Sequence, residues 1–197
     1  PASKAESDNI RNQLEYETVI EPTSYCPPYH LSYHLLPLRY ETVIDKEGNA
    51  VSNTYTLNGS FGSGVVVEGA GFILNNEMDD FSAKPGAPNL FGVVGGAANA
   101  IAPGKRPLSS MTPTILTKDG RVAMVIGTPG GSRIFAWVFQ VLANVYDHGL
   151  SLKAAQAAPR FHHQLLPENV IFYERAGPPS PALKAALEAR GYSWTES

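Results

Sequence analysis

The feature that most constrains this chain is a glycine turn, Thr128-Pro129-Gly130-Gly131-Ser132, which separates a strand pattern from a helix pattern. Residues 123–126 form a short apolar run typical of a strand. Beyond the turn, apolar residues recur at the spacing of one helical face, namely Ile134, Phe135, Val138, Leu142 and Val145. The pattern predicts a helix that Ser132 caps and that ends near His148-Gly149, where glycine can take the left-handed conformation.

The two glycines of this turn also suit a binding role. Glycine amides can approach a ligand closely, and the N-terminus of the following helix adds partial positive charge. An oxyanion hole or an anion site can be built in this way. A plain tight turn is the alternative, and the residues by themselves leave both interpretations open.

Strand and turn signals dominate the region before the turn. Residues 41–44 and 50–57 flank Lys46-Glu47-Gly48-Asn49, which predicts a β-hairpin with positive φ angles in its turn. Residues 65–67 form a short candidate for a buried strand, and two more strands are predicted at residues 112–117 and 123–126. Residues 83–107 are rich in Gly, Pro, Ala and Asn, and a loop of that length inside a compact domain is usually functional or disordered.

The sequence after the turn predicts helices. Residues 151–158 form a short predicted helix that Pro159 stops. Ser180-Pro181 opens a last helix, with a capping residue and a first-turn proline in their preferred positions, and Gly191 closes it. Strands packed against helices predict an α+β layered fold.

The first 40 residues show little periodicity. They contain Tyr16-Glu17-Thr18-Val19-Ile20, which recurs as Tyr40-Glu41-Thr42-Val43-Ile44. Two copies do not make a solenoid, because a repeat protein needs more units to bury a core. We therefore interpret residues 1–40 as an atypical segment, disordered or artefactual, in which the repeat reflects a local duplication or an error in the gene model.

Composition excludes several functional classes. The chain has 197 residues and a formal net charge of -3 without a long basic run, so no nucleic-acid partner is expected. A single cysteine, Cys26, excludes an intrachain disulfide. Neither a CxxC nor an HExxH spacing occurs, so neither a metal nor another cofactor is expected. No apolar stretch reaches the roughly 18 residues of a membrane span.

Polar clusters supply candidate site residues. The run Asn75-Asn76-Glu77-Met78-Asp79-Asp80 suits acid–base work or the binding of an ammonium group, with a solvated turn as the alternative. Ser109-Ser110 can donate to a carboxylate or hydrate a turn, and it lies outside a Gly-x-Ser-x-Gly elbow. The neighbours His162-His163 point in different directions, so packing is favoured over a shared metal.

Several longer runs stand in one order over about residues 41–195. They are Asp45-Lys46-Glu47-Gly48-Asn49-Ala50-Val51, Thr54-Tyr55-Thr56-Leu57-Asn58, Phe61-Gly62-Ser63-Gly64, Leu74-Asn75-Asn76-Glu77-Met78-Asp79-Asp80-Phe81, Pro103-Gly104-Lys105-Arg106-Pro107-Leu108-Ser109-Ser110-Met111, and Ala158-Pro159-Arg160-Phe161-His162-His163-Gln164. In this order, and with the glycine turn, the chain closely resembles the gamma-glutamyltransferase family in the region of its small subunit.

The resemblance implies an N-terminal-nucleophile hydrolase fold, a four-layer αββα sandwich, with residues 41–197 as a small-subunit domain that stops before the family's closing strands. It implies a precursor that cleaves itself into a large and a small subunit. The new N-terminal threonine then attacks a γ-glutamyl amide with its own amine as the base. Glutathione would be the usual donor, and water, an amino acid or a peptide the acceptor. A large-subunit partner and a periplasmic or extracellular location are implied as well.

The resemblance also implies roles for individual residues. Gly130 and Gly131 would form the oxyanion hole, and the hydroxyl of Thr56 would position the nucleophile. Residues 82–92 would form a lid over the site, with Phe91 where some members have tyrosine. The donor's α-amino group and nearby backbone would be bound by Asn58, Glu77 and Asp80, and its α-carboxylate would be held by Ser109 and Ser110.

The chain departs from the family at the nucleophile. Counting back from Asp45 at the family's spacing places Leu38 there, whereas counting forward from Ala5-Glu6-Ser7-Asp8-Asn9 places Ile10 there. Neither side chain has a nucleophilic oxygen. Thr18 and Thr42 are the nearest substitutes, and Thr42 would leave the catalytic strand about four residues short, or roughly 13 Å of reach.

Three functional hypotheses follow. The leading one is γ-glutamyl transfer or hydrolysis, with this chain an incomplete catalyst. A cephalosporin or glutaryl acylase of the same superfamily would share the scaffold, but it would have less need for both polar clusters that suit a free amino-acid head. A noncatalytic paralogue that binds γ-glutamyl compounds or a partner subunit would fit the missing threonine.

Overall fold

The computed structural model describes residues 38–175 and 177–196, so residues 1–37, with the first copy of the repeat, lie outside the described part. The described residues form two compact units. The first unit comprises residues 38–76 and 111–129, and the second comprises residues 77–110 and those from 130 onward. Of the predicted site residues, Thr56 and Asn58 belong to the first unit and the others to the second.

A β-hairpin opens the first unit. Strand β1 (Leu38–Ile44) pairs antiparallel with strand β2 (Ala50–Thr56), and Leu38 lies opposite Thr56. The β-branched and aromatic residues of both strands suit a pleated surface. The hairpin predicted from the sequence is confirmed, and its first strand begins at Leu38.

The hairpin turn is held by one acidic side chain. The Asp45 carboxylate accepts hydrogen bonds from the Asn49 backbone N–H at 2.8 Å and from the Asn49 side-chain amide at 2.7 Å. Gly48 takes a φ of 88°, which glycine adopts without steric cost. The turn chemistry therefore agrees with the prediction that these residues supply the positive φ angle.

Two further hairpins complete the first unit. Strand β3 (Val66–Val67) pairs with β4 (Phe72–Ile73), and β5 (Thr114–Lys118) pairs with β6 (Arg121–Ile126), both antiparallel. The ladder of β5 and β6 shifts its register between Leu116 and Thr117. The strands predicted at residues 65–67, 112–117 and 123–126 are confirmed, although β3 is only two residues long and is not buried as predicted, with Val66 59% exposed.

The core of the first unit lies where β2 meets β5 and β6. On β6, Met124 is 2% exposed and Ile126 is 8% exposed. Ser52 of β2 donates a hydrogen bond from Oγ to the Ile126 carbonyl at 3.3 Å. The Tyr40 ring of β1 packs on Gly127, where a Cβ would come within 2.1 Å of the ring. Packing and a hydrogen bond therefore anchor the β1–β2 hairpin to β6.

The second unit combines helices with a small sheet. The helices are α1 (Ile134–Tyr146), α2 (Leu152–Ala157) and α3 (Pro181–Glu188). The sheet has the order β7 (Phe161–His162), β8 (Val170–Tyr173) and β9 (Ser193–Glu196), with β7 antiparallel and β9 parallel to β8. The buried residues of the second unit include Ile134, Val138, Val141, Leu152, Ala155 and Ile171. In the described ranges, none of the helices has the length and apolar character that a bilayer crossing requires.

The α+β fold class is confirmed, but the second unit corrects the prediction of helices alone after the glycine turn. Strands β7, β8 and β9 have two to four residues each, too short for a periodic pattern. The run Val170-Ile171-Phe172-Tyr173 is rich in β-branched and aromatic residues and carried the signal that was missed. The cap of α3 is confirmed, since Ser180 Oγ accepts a hydrogen bond from Leu183 N–H at 3.3 Å.

Two predictions for α1 were wrong in detail. Ser132 does not cap the helix, because a 3-10 turn (Gly131–Arg133) precedes it and the Ser132 hydroxyl donates to Gln164 Oε1 at 3.1 Å. Val141 rather than Phe135 completes the buried face, and Phe135 is 50% exposed. A partner distant in sequence took the hydroxyl, which local pattern cannot show.

Replacing Met124 by alanine should lower the free energy of unfolding of the chain by about 2–5 kcal/mol, since the buried side chain leaves a cavity. Met78→Ala is the matched control, because Met78 is 57% exposed and its loss should change stability by no more than about 0.5 kcal/mol. Urea unfolding followed by circular dichroism measures both. Equal effects of the two substitutions would contradict the assignment of the core.

Candidate functional site

Thr56 and Asn58 are brought together by a tight turn at the end of β2. Thr56 Oγ1 accepts a hydrogen bond from Asn58 N–H at 2.8 Å. Asn58 is 7% exposed with a φ of 68°, which asparagine tolerates better than most residues. Its Nδ2 donates to the Asn76 carbonyl at 3.2 Å, and Asn76 Oδ1 accepts from Gly59 N–H at 2.8 Å. Hydrogen bonds that Asn76 and Thr56 accept therefore fix this corner.

Strand pairing determines which residue of β1 lies beside Thr56. Leu38 is directly opposite Thr56, whereas Thr42 is opposite Ser52, four residues earlier on β2. At the rise of a β-strand, four residues correspond to roughly 13 Å. The pairing therefore agrees with the count back from Asp45 to Leu38, and it places Thr42 away from Thr56.

Glu77 and Asp80 share one 3-10 turn, Glu77–Asp80. Burial raises the pKa of Glu77 to about 6, and the charge of Asp80 and a hydrogen bond with it act in the same direction. Burial also raises the pKa of Asp80, with the charge of Asp79 as the next cause. Half-buried carboxylates this close to each other are costly to ionise together. A bound ammonium group would offset that cost, which suits the predicted role in binding an α-amino group.

Asp79, the third carboxylate of the acidic run, supports the loop that follows. Its Oδ2 accepts a hydrogen bond from Leu90 N–H at 3.0 Å. Within the loop, Asn89 Oδ1 accepts from Phe91 N–H at 3.0 Å and from Val93 N–H at 2.9 Å. The segment expected to act as a lid is therefore a folded loop with its own hydrogen bonds, and its role as a lid stays a prediction.

The segment that carries Ser109-Ser110 is tied to the acidic turn by Asn99. Asn99 Nδ2 donates to the Asp80 carbonyl at 2.7 Å, and Asn99 Oδ1 accepts from Leu108 N–H at 3.0 Å. Ser109 is exposed and Ser110 half-buried. Sequence reasoning missed Asn99, although it is the one polar side chain in the run Gly95-Gly96-Ala97-Ala98-Asn99-Ala100. It holds the two predicted polar clusters of this unit in a fixed relation.

Gly130 and Gly131 are packed against two aromatic rings. Gly130 has a φ of 152°, and a Cβ there would lie 2.7 Å from the Trp137 ring. Gly131 has a φ of 57°, and a Cβ there would lie 2.6 Å from Cδ1 of Phe91. Only glycine satisfies both the backbone angle and the space at these points. The two rings account for both glycines by packing, and the role of their amides as an oxyanion hole stays a prediction.

A small cavity of about 120 Å³ lies in the second unit beside Asp80 and beneath the 82–95 loop. Asn99, Leu108 and Ser82 are among its lining residues. Ser82 is 7% exposed, and its hydroxyl has no hydrogen-bond partner in the part of the chain that the structure describes. The cavity is lined by Asp80 and Asn99, so it lies beside the acidic turn of the second unit.

The packing role predicted for the adjacent histidines is confirmed. His162 is 2% exposed and lies between the rings of Phe135 and Phe172, with centroid distances of 6.2 and 6.4 Å. His163 meets the Tyr192 ring edge-on at 5.8 Å. Among the described residues, no group of three or more His, Cys, Asp or Glu side chains is placed to hold a metal ion.

Comparison with known sequences gives this arrangement a context. The family model described as Gamma-glutamyltranspeptidase matches residues 38–197. The glutathione hydrolase proenzyme of Pseudomonas aeruginosa is 57% identical over 176 residues, which cover 88% of this chain and 32% of that protein. That of Escherichia coli is 48% identical over 190 residues, or 96% of this chain and 32% of that protein. The chain therefore spans about a third of the length of these curated relatives.

Comparison with solved structures points the same way. The gamma-glutamyltranspeptidase from Pseudomonas nitroreducens complexed with L-DON matches with a TM-score of 0.78 and 61% sequence identity. The match covers 80% of this chain and 82% of that chain. This likeness confirms the N-terminal-nucleophile hydrolase fold predicted from the sequence.

Gly131→Ala should destabilise the chain more than Gly149→Ala. Both substitutions force alanine into a left-handed φ, 57° and 68°, but only the Cβ at position 131 meets a ring, and nothing lies within 4 Å of position 149. We expect about 1–2 kcal/mol for Gly149→Ala from backbone strain and about 1–3 kcal/mol more for Gly131→Ala from overpacking. Urea unfolding measures the difference, and equal losses would show that Phe91 does not press on Gly131.

Glu77 should titrate with a midpoint near pH 6 when its side-chain carboxyl carbon is followed by NMR. Asp80→Asn should lower that midpoint toward the ordinary value of 4.5 without reaching it, because burial, the larger cause, remains. A midpoint at the ordinary value in the unsubstituted chain would contradict the burial and pairing of these carboxyl groups.

The same shift has a consequence for stability. A carboxyl whose pKa is raised by folding contributes stability that is full below its unfolded value of 4.5 and is lost as the pH rises through about 6. Glu77→Gln should therefore flatten the pH dependence of the free energy of unfolding between these values. An unchanged pH profile in the variant would exclude Glu77 as its source.

Proposed function

This chain belongs to the gamma-glutamyltranspeptidase family, and from that premise we propose that it is the small-subunit part of a protein built for γ-glutamyl transfer or hydrolysis. Its relatives in P. aeruginosa and E. coli are named as glutathione hydrolase proenzymes, which supports glutathione or another γ-glutamyl compound as the donor. Water, an amino acid or a peptide would be the acceptor. The donor would be recognised by its free α-amino-acid head.

The polar clusters support recognition of such a head. The Glu77–Asp80 turn offers carboxylates whose raised pKa values reflect burial and mutual repulsion, and a substrate ammonium group would relieve that repulsion. Ser109 and Ser110 can donate to an α-carboxylate, and Asn99 ties their segment to Asp80. The amides of Gly130 and Gly131 would stabilise the oxyanion that forms when the γ-carbonyl is attacked. In the first unit, by family resemblance, the Thr56 hydroxyl would position the nucleophile and Asn58 would contribute to binding of the donor's amino-acid head.

One observation supports a limit on what this sequence can catalyse: Leu38 lies opposite Thr56 in the β1–β2 pairing. Formation of the acyl-enzyme requires a hydroxyl that attacks the γ-carbonyl and an amine that accepts its proton. Leucine supplies no oxygen, so the sequence as it stands would bind the donor without forming the ester. On this observation a noncatalytic γ-glutamyl-binding protein is the second candidate function, although the relatives described above do not favour it.

The remaining parts of the proposal concern the whole protein. The curated relatives are about three times as long as the matched region, so a large-subunit portion of the same precursor is the proposed partner. We place the protein in the periplasm or outside the cell by family resemblance. The acylase hypothesis is not favoured, because the relatives described above are glutathione hydrolase proenzymes.

The chain combined with a large-subunit portion should bind glutamate but release no p-nitroaniline from γ-glutamyl-p-nitroanilide. Leu38→Thr should restore release if cleavage exposes the new residue, and Leu38→Val, of similar shape but without the hydroxyl, should not. Isothermal titration and absorbance measure the two properties. Turnover by the unsubstituted chain that Thr42→Val abolishes would identify Thr42 as the nucleophile and overturn the assignment. Absence of glutamate binding in all variants would overturn the proposed pocket.

A further inference from the structure

The side chain of Gln164 links three distant parts of the second unit. Its Oε1 accepts a hydrogen bond from Ser132 Oγ at 3.1 Å, and its Nε2 lies 3.1 Å from the Gly92 carbonyl and 3.4 Å from the Phe91 carbonyl. Ser132 is 32 residues away in sequence and Gly92 is 72. Gln164 follows β7 in the chain, and its amide therefore joins that segment to the turn of residues 130–132 and to the loop of residues 89–93.

The carbonyl partners fix the orientation of this amide. Only an NH₂ group can donate to the carbonyls of Phe91 and Gly92, so the amide oxygen faces Ser132 and His162. His162 Nε2 lies 3.1 Å from that oxygen and must carry the proton of the neutral ring. Its Nδ1 is buried and has no hydrogen-bond partner among the described residues, as an unprotonated nitrogen in an apolar setting would be.

The turn and the loop also touch directly. A Cβ on Gly131 would lie 2.6 Å from the Phe91 ring, and a Cβ on Gly92 would lie 3.3 Å from Gln164 Nε2. Neither backbone can shift far without meeting the other or the amide between them. The position of Phe91 in the loop and the path of the backbone at Gly131 are therefore set together.

We propose that Gln164 is a positioning residue, which couples the geometry of the 89–93 loop to the ligand-binding geometry of the 130–132 turn. Gln164 itself need not touch the ligand, because it acts through Ser132 on one side and through the backbone of Phe91 and Gly92 on the other. The proposal rests on the proposed function to the extent that the ligand is a γ-glutamyl compound. The coupling of loop and turn does not depend on that identity.

The Gln164 amide accepts through its oxygen and donates through its NH₂ group, so substitutions can test the two functions separately. Gln164→Glu keeps oxygens for Ser132 and His162 but replaces the donor that faces the two carbonyls. Ser132→Ala keeps the donor and removes the hydroxyl alone. Gln164→Leu removes both functions at similar volume. Gln156→Leu, the same chemical change at an exposed position of α2, is the matched control.

Hydrogen exchange read by mass spectrometry, on the full chain combined with its large-subunit portion, distinguishes these variants. We expect faster exchange in residues 89–93 alone for Gln164→Glu, in residues 130–133 alone for Ser132→Ala, and in both for Gln164→Leu. Gln156→Leu should change neither. A general loss of stability would instead speed exchange in both segments for every destabilised variant, so the split pattern tests positioning.

Glutamate titration and histidine NMR complete the experiment. Gln164→Leu should weaken glutamate binding by about 10-fold, the scale of one to two lost hydrogen bonds, and Gln156→Leu should leave it unchanged. The ¹⁵N shifts of His162 should show the Nε2–H tautomer in the unsubstituted protein and a mixture of tautomers in Gln164→Leu. Unchanged glutamate affinity together with unchanged exchange in Gln164→Leu would overturn the proposal. Failure of the unsubstituted protein to bind glutamate would overturn the proposed function instead, while the exchange pattern still decides the role of Gln164.

Discussion

The pairing of β1 with β2 is the constraint on which the account of this protein depends. Antiparallel pairing leaves no freedom once the turn at Asp45 and Asn49 is closed, because a slip of one residue would turn every side chain of the strand to the opposite face. The pairing places Leu38 directly opposite Thr56, whose hydroxyl oxygen accepts a hydrogen bond from the Asn58 backbone N–H. On the proposed function, an attacking oxygen would be needed at this corner of the first unit, and the sequence has leucine there.

Side-chain amides hold the candidate site together in the second unit. Asn99 bridges the Asp80 carbonyl and the Leu108 amide, Gln164 bridges the 130–132 turn and the 89–93 loop, and Gln140 joins the Ala136 carbonyl to the backbone of Phe161. An amide can donate and accept at once, so one side chain can tie two backbone segments without adding charge. Because these amides are uncharged, they do not neutralise the carboxylates of Glu77 and Asp80, which stay available to the proposed ligand.

Much of the fold could be predicted from the sequence because its signals are local. The hairpin turn, the Ser180-Pro181 start of α3 and the strands around Gly120 depend on neighbours a few residues apart. The hydrogen bonds of Ser132, Asn99 and Gln164 could not be predicted from the sequence, since tertiary folding determines their partners. Ser132 shows the difference plainly, because its position favours a helix cap but its hydroxyl bonds to a residue 32 positions later. The candidate site residues themselves came from motif resemblance, and the structure adds how each is held.

Intact-mass spectrometry of the chain, combined with its large-subunit portion and quenched shortly after mixing with γ-glutamyl-p-nitroanilide, tests the central claim most directly. A working nucleophile leaves a γ-glutamyl ester on the small subunit, and a missing nucleophile leaves none. We expect no adduct on the unsubstituted chain and one adduct at position 38 after Leu38→Thr in a small subunit that begins at that residue. An adduct on the unsubstituted chain, at Thr42 or at any other residue, would contradict it.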